Sequence, residues 1–141
     1  MASKGVSLYK YFKPERYQLK IDGVNCSLII SGQKLGPPSK RISLNQQKLK
    51  VISAAISRID RKNPGEYPVD RINHLPSFQQ VRLHTKHIQY PGKYQVSLSY
   101  KISPDAAASL KSLSKAKPDR RLVPCVDEAE AWEQAEFELK S

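Results

Sequence analysis

Three histidines, His74, His84 and His87, are the residues whose spacing could indicate metal chemistry. A hydrolytic zinc site of the H-E-x-x-H kind places two histidines one helical turn apart, with a glutamate that polarises the bound water. No histidine here is followed by glutamate, and His84 and His87 are three residues apart in a segment that alternates like a strand. Side chains three apart on a strand point to opposite faces. We therefore predict no metal, no cofactor and no enzyme activity, and we interpret the histidines as polar residues near strand ends.

The two cysteines, Cys26 and Cys125, are far apart, and nothing else in the sequence indicates a secreted disulfide scaffold. We therefore predict free thiols in a reducing compartment. Cys125 has no histidine nearby in sequence that could act as its base, which favours burial as a small apolar residue over a role as nucleophile. The sequence also has neither an apolar run of membrane-spanning length nor an apolar signal core, so we expect a cytoplasmic protein without a membrane span.

Charge is the strongest compositional signal, because the 141 residues carry a formal net charge of +11. Residues 1–126 contain 23 Lys and Arg against seven Asp and Glu, a net +16, whereas residues 127–141 contain one Lys against six acids, a net −5. This asymmetry indicates a basic face for nucleic acid, anionic lipid or an acidic partner, or an acidic tail that folds back over a basic body. A purely solubilising surface is the alternative.

Two smaller groups of residues have a binding interpretation and a structural one. Tyr9, Tyr11 and Phe12 alternate with lysines, an arrangement that can stack bases beside a positive groove, although we favour an arm that packs its aromatic rings on the first strand. Arg120 and Arg121 could clamp a phosphate, but the acids that follow them would repel it.

Alternating apolar residues predict several short strands in one domain, which at this length buries about two-thirds of its unfolded surface. The pattern is clear from Tyr17 to Ile21, returns from Cys26 to Ser31 after a turn at residues 23–25, and is cleanest from Tyr94 to Ile102. Ile42 and Leu44 mark another short strand. Phe78 to Thr85 alternates with Val81 and Leu83 inward and Gln80, Arg82 and His84 outward. We predict a mainly β fold, an antiparallel β-sandwich or saddle-like sheet with at most one or two short helices.

Other segments are less regular. A strand from Leu49 to Ile59, favoured over a helix by its β-branched residues, would place Leu49 and Val51 on one face and Ile52, Ala54 and Ile56 on the other. Four Gly and Pro residues predict an excursion around the rim at residues 61–76. Ser103-Pro104-Asp105 has the form of a helix start. Residues 127–132 look helical by propensity, and Phe137 and Leu139 share one face of a possible last strand.

Four stretches of the sequence occur in the order of one family's strands: residues 14–21, 41–44 with 49–54, 91–100 and 120–139. They resemble the N-terminal domain of zinc aminopeptidases of the aminopeptidase N type. The run R-R-L-V-P-C-V-D-E from Arg120 to Glu128 is similar to that family's arginine and P-C-F-D-E-P segment, Pro14 to Ile21 is similar to its first strand, and the other two stretches are similar to its middle strands. The resemblance implies one stand-alone β domain over residues 1–141, with an N-terminal arm at residues 1–15, a connector at 103–119, and the P-C-V-D-E segment with a last strand at 120–141. It also implies a turn, and not a helix, before that strand.

The resemblance implies structural roles only. The family's zinc ligands, its G-A-M-E-N loop and its pocket glutamine are absent, so no catalytic residue can be carried over. A buried Asp127 paired with one of the arginines would order the turn into the last strand. The residues to which we assign this structural motif are Arg120, Arg121, Pro124, Cys125, Asp127 and Glu128.

Three functions are compatible with these patterns. The first is a non-catalytic protein-interaction or scaffold module that offers exposed strand edges to a protein partner of unknown identity. The second is a basic protein that binds nucleic acid or another anionic surface. The third is a docking subunit that completes a zinc aminopeptidase in trans. Steep weakening by salt is expected of phosphate contacts and not of edge pairing.

Overall fold

The described residues form nine strands and two short helices. A computed structural model of the chain describes residues 8, 10–46, 49–60, 64–111, 123–126 and 129–140. The strands are β1 (Phe12–Asp22), β2 (Asn25–Lys34), β3 (Ser39–Asn45), β4 (Lys50–Arg58), β5 (Gly65–Tyr67), β6 (Val69–Leu75), β7 (Gln80–Gln89), β8 (Gly92–Lys101) and β9 (Glu136–Lys140). The helices are α1 (Pro104–Lys111) and α2 (Ala129–Gln134), and one turn of 3-10 helix covers Pro76–Phe78.

The strands form two sheets, so the prediction of a mainly β, two-layered fold with short helices is confirmed. The large sheet has six strands in the order β5-β4-β8-β2-β1-β9, and the small sheet has three in the order β3-β7-β6. All pairings are antiparallel except that of β9 with β1, which is parallel. The parallel pairing departs from the antiparallel sheet that we predicted.

The core lies between the inner faces of the two sheets. In the large sheet, one row across five strands aligns Tyr17, Ile30, Val96 and Ile56 with Tyr67. The first four of these are at most 1% exposed. The small sheet contributes inner-face residues that are at most 2% exposed, namely Ile42, Leu44, Val81 and Leu83. Strict alternation puts these apolar side chains inside and leaves the polar ones on the two outer faces.

Trp132 closes the core at its β1 end. Its ring lies 5.1 Å from that of Tyr17 and 5.7 Å from that of Phe137, centroid to centroid. The helix that propensity indicated at residues 127–132 is observed at Ala129–Gln134, where the resemblance implied a turn, and residues 127 and 128 lie outside the described residues. The strand that we predicted for Phe137 and Leu139 is present as β9. Ser103 caps α1 as predicted, because its Oγ accepts a hydrogen bond from Ala106 N at 3.1 Å.

The excursion that we predicted at residues 61–76 is wrong where the structure describes it, because residues 65–67 and 69–75 are strands. None of the three prolines lies inside a strand: Pro64 precedes β5, Pro68 separates β5 from β6, and Pro76 follows β6. Proline removes a ladder donor only inside a strand, so its place at the ends is compatible with sheet pairing.

Two predicted orientations are also wrong. A register shift between Val51 and Ser53 marks a bulge, so that Val51 and Ile56 are both buried while Ile52 is 51% exposed. An extra residue in one strand reverses the alternation beyond it. Gln80, which we predicted to face solvent, is only 2% exposed, and it lines the same cavity as Arg82. Phe78 belongs to the 3-10 turn and precedes β7.

Candidate functional site

The outer face of the small sheet aligns cationic side chains in a row. Arg41 of β3 pairs in register with His84 of β7, and His84 pairs with Arg71 of β6. The next row places Arg82 between Ser43 and Asn73. Because Ile42 and Leu83 point into the core, alternation directs their neighbours Arg41, Ser43, Arg82 and His84 to the opposite face. Pairing thus gathers three arginines and a histidine from three strands.

These cations form no salt bridge among the described residues. The described salt bridges join Arg16 to Glu138 and Arg58 to Asp60, and neither includes an arginine of the small sheet. The mutual repulsion affects the titration of Arg82. Burial lowers the pKa of Arg82 most, and the charge of Arg41 lowers it further. An unneutralised cluster of this kind attracts anions from solution.

His84 stands at the centre of the cluster. Its Nε2 lies 3.4 Å from Arg71 Nη2. Burial lowers the pKa of His84, and the charges of Arg71, Arg41 and Arg82 lower it further, while nearby Asp70 acts in the opposite direction. The imidazole is therefore held neutral near pH 7, with a ring that can stack or hydrogen bond and that can gain a proton when an anion arrives.

A cavity of about 250 Å³ lies beside this face, at the β3 edge. Its polar lining comes from Lys34, Ser39, Arg41 and Arg82 among others, and its apolar lining includes Phe12. Lys34 is only 4% exposed, and its Nζ donates to Ser39 Oγ at 2.8 Å and to the Arg41 carbonyl at 3.3 Å. Burial, followed by the charge of Arg41, lowers the pKa of Lys34. We call this space the Lys34 cavity.

We call Arg41, Arg71, Arg82 and His84 the cationic face. The two described residues of the structural motif, Pro124 and Cys125, do not belong to it. Pro124 and Cys125 are buried, and Cys125 forms a two-bond bridge with Asn45 at the end of β3, with N to O distances of 2.6 and 3.0 Å. Val126 N donates to the Tyr17 hydroxyl at 3.3 Å. This segment therefore ties β3 to the core next to β1. The remaining four members lie outside the described residues: Arg120, Arg121, Asp127 and Glu128.

The two cysteines are free and buried, as predicted. Burial raises the pKa of the Cys26 thiol, against a smaller opposite effect of its hydrogen bond with Tyr100. A protonated, enclosed thiol is a poor nucleophile and packs as a small apolar group. Burial also raises the pKa of Tyr100 strongly, with Cys26 and Cys125 adding to the effect.

The histidines occupy separate places. His74 Nε2 accepts a hydrogen bond from Val51 N at 3.2 Å, which links β6 to the bulge of β4. His84 lies among Arg41, Arg71 and Arg82, which we call the arginine row. His87 is exposed. Within the described ranges, no three His, Cys, Asp or Glu residues are grouped as metal ligands.

The sequence predicts only part of the cationic face. Alternation in residues 80–85 placed Arg82 and His84 on one outward face. Arg71 was missed because the prolines of residues 64–76 obscured β6, and Lys34 was missed because a lysine at the end of an apolar strand reads as exposed.

Comparison of the sequence with models of known protein families and with curated proteins finds no match. Among the described helices, none has the length and apolar character needed to cross a lipid bilayer.

Proposed function

We propose that this chain is a non-catalytic binding module that holds single-stranded nucleic acid on the outer face of the small sheet. The observation that carries the proposal is the register-aligned group of Arg41, Arg71 and Arg82 around His84, which has no carboxylate partner among the described residues. Arginine suits this task because its planar guanidinium donates to phosphate oxygens in pairs and also stacks on bases.

A sheet face is a suitable platform for unpaired bases. Sheet-based binders of RNA stack about two or three bases on ring or guanidinium planes and use polar side chains to contact base edges. Here Arg82 and His84 offer planes in the middle strand, while Ser43 and Asn73 flank Arg82 with hydrogen-bonding groups. Duplex grooves need a protruding helix or ribbon, which a flat sheet face lacks, so a single strand fits better.

The distribution of charge over the molecule supports the same ligand. Glu136 and Glu138 alternate with the inward residues Phe137 and Leu139, so they stand on the outer face of the large sheet, where Glu138 pairs with Arg16 at 2.6 Å. This acidic strand belongs to the sheet opposite the arginine row. β9 itself therefore does not cover the cationic face.

Edge pairing with a protein partner has weaker support. The β9 edge carries Glu136, Glu138 and Lys140, and charged residues on an edge strand discourage the addition of another strand. The short β5, with three residues, offers little backbone at the opposite edge. The resemblance to an aminopeptidase domain contributes no binding residue to either surface.

Binding of a labelled, mixed-sequence single-stranded oligonucleotide, measured by fluorescence anisotropy over a range of salt concentrations, tests the proposal. Each phosphate contact with a single strand adds about −0.7 to the slope of log K against log salt, so loss of three contacts should remove about 2 units. The triple variant Arg41→Gln, Arg71→Gln, Arg82→Gln should show this loss.

The matched control changes three cations elsewhere: Lys20→Gln, Lys93→Gln and Lys101→Gln, all on the outer face of the large sheet. This control variant loses the same number of positive charges as the first triple variant. It should keep most of the wild-type slope of log K against log salt. Equal losses in the two triple variants would show that binding reflects net charge alone and would contradict the assignment of the face. Absence of binding at low salt, or binding that salt does not weaken, would reject the nucleic-acid function.

A further inference from the structure

The Lys34 cavity collects cationic groups around a partly open space. Lys34, Arg41 and Arg82 line it, and none of its described lining residues is acidic. The remaining lining residues are mostly apolar or neutral polar: Leu8, Tyr11, Phe12, Pro37, Pro38, Ser39, Ile42, Ser43 and Gln80. Three positive charges without a counter-ion around about 250 Å³ form a receptor for a compact, multiply charged anion.

Lys34 is placed there by the sheet. It is the last residue of β2, in register with Phe12 of β1 and Gly92 of β8, and by alternation it points inward like the core residues that precede it by four and six positions, Ile30 and Leu28. Two of its three ammonium donors reach Ser39 Oγ and the Arg41 carbonyl. Both acceptors are neutral, and Lys34 is only 4% exposed, so within the described residues no carboxylate compensates its charge. An anion in the cavity would supply the missing compensation.

Arg82 has a second unmet requirement. Its Nε is buried and has no hydrogen-bond partner in the part of the chain that the structure describes. A buried donor without an acceptor costs free energy, and such groups in native folds commonly mark a missing ligand or water. Lys34 and Arg82 come from different sheets, so their shared need for an acceptor in one cavity is not a consequence of local sequence.

We propose that the Lys34 cavity binds the terminal phosphomonoester of a single nucleic-acid strand that lies on the adjoining arginine row. This inference rests on the proposed function for the identity of the strand. A terminal phosphate carries up to two negative charges and connects to the ligand on one side only, whereas an internal phosphodiester carries one charge and must leave in two directions. The terminal group therefore matches both the charge and the single-ended shape of the site.

The surroundings also suit the terminal nucleoside. Tyr11 lines the cavity and is 40% exposed, so its ring offers a stacking surface for the terminal base. Ser43 and Gln80 provide neutral hydrogen-bonding groups in the same lining. Arg41 and Arg82 are common to the cavity and the arginine row, which makes the path from one to the other continuous.

Three oligonucleotides of one sequence test the inference: one with a 5′-phosphate, one with a 3′-phosphate and one with hydroxyls at both ends. We expect one of the two phosphorylated forms to bind about tenfold tighter than the hydroxyl-ended form, as one or two charge-assisted hydrogen bonds allow. The variant Lys34→Met should lose this preference and keep the affinity for the hydroxyl-ended strand. Arg71→Gln changes a residue outside the cavity. It should weaken the binding of all three oligonucleotides and keep the preference for the phosphorylated form.

The outcomes separate the two proposals. Equal affinity of the wild-type protein for all three oligonucleotides overturns the phosphate pocket and leaves the nucleic-acid function standing. If no oligonucleotide binds, the terminal-phosphate assignment falls with the function, and stabilisation of the wild type but not of Lys34→Met by inorganic phosphate would then identify an anion pocket of another kind. Should Lys34→Met fail to fold, as judged by circular dichroism, Arg82→Gln takes its place and must reduce the same preference.

Discussion

Individual side chains connect strand ends where the backbone ladder stops, and Asp60 shows how. Its Oδ1 accepts from Lys93 N at 2.9 Å, and its Oδ2 accepts from Arg58 Nε at 3.0 Å. The Arg58 guanidinium in turn lies 5.7 Å from the ring centroid of Tyr94. The carboxylate thus joins the end of β4 to the start of β8, next to the turn at Pro91.

Replacement of Asp60 by Asn should lower the free energy of unfolding below that of the wild type at neutral pH. At acidic pH this difference between the two proteins should be smaller. The hydrogen bond from Lys93 N, and then that from Arg58, lower the pKa of Asp60 below its ordinary value of 3.8. A carboxyl whose pKa is lower in the folded state stabilises the fold above pH 3.8, and this contribution disappears as pH falls through the folded pKa. Urea unfolding of both proteins from pH 2.5 to 7 should show that their difference in unfolding free energy decreases below about pH 4.

The exposed Asp22, at the end of β1, provides the control for that measurement. Asp22→Asn should leave the pH dependence of the unfolding free energy close to that of the wild type. A difference between Asp60→Asn and wild type that stays constant from pH 7 to pH 2.5 would rule out an ionised role for Asp60.

His84 should couple nucleic-acid binding to pH. Burial and the charges of Arg71, Arg41 and Arg82 lower its pKa, with Asp70 opposing them, and a bound phosphate would reverse that electrostatic penalty. Binding therefore takes up a proton, and affinity should rise as pH falls below the ordinary histidine value of 6.5. Anisotropy titrations between pH 5 and 8 should show this rise for the wild type and a flatter profile for His84→Gln. A profile that is identical for both would remove His84 from the binding face.

At the scale of elements, the close approach of β1 and β2 depends on a glycine. A Cβ added to Gly32 would lie 2.6 Å from the Lys13 carbonyl oxygen and 2.8 Å from the Phe12 ring. The contact falls beside the register shift between Pro14 and Arg16, where β1 is already irregular. Only a residue without a side chain fits there.

Gly32→Ala should therefore lower the free energy of unfolding by about 1–3 kcal/mol, the usual cost of overpacking. Gly65→Ala is the matched control, because a Cβ at Gly65 would meet nothing within 4 Å. Denaturant unfolding of both variants measures the effect. Equal stabilities would mean that β1 moves away from β2 without cost, contrary to the tight pairing seen here.

The elements also show what sequence alone can predict. β1 and β8 each have one buried and one wet face, so strict alternation in residues 17–21 and 94–102 predicts them. β6 is an edge strand whose residues are all exposed or half-buried, and it is bounded by prolines, so its pattern is weak. The bulge in β4 depends on pairing with β8, and on the hydrogen bond from Val51 N to His74, both distant in sequence. The arginine row is predictable within β7 and is completed only by such non-local pairing.

At the scale of the whole molecule, charge opposes the compact state. The net charge is +11, and the salt bridges within the described residues are two, Arg16 with Glu138 and Arg58 with Asp60. The first is exposed, so its contribution to stability is small. Repulsion among the remaining cations is long-ranged and falls off as the Debye length shrinks from about 30 Å at 0.01 M salt to about 8 Å at 0.15 M.

Sodium chloride should therefore raise the melting temperature between 0.01 and 0.15 M, by several degrees in a chain of this size if screening recovers about 1 kcal/mol. The triple variant Arg41→Gln, Arg71→Gln, Arg82→Gln should melt higher than the wild type at low salt and respond less to added salt, because it lacks the densest part of the repulsion. Differential scanning calorimetry of both proteins measures the two responses. A wild-type melting temperature that falls with salt would mean that attractive pairs dominate over repulsion, and the arginine row would then be internally neutralised and unable to recruit a polyanion.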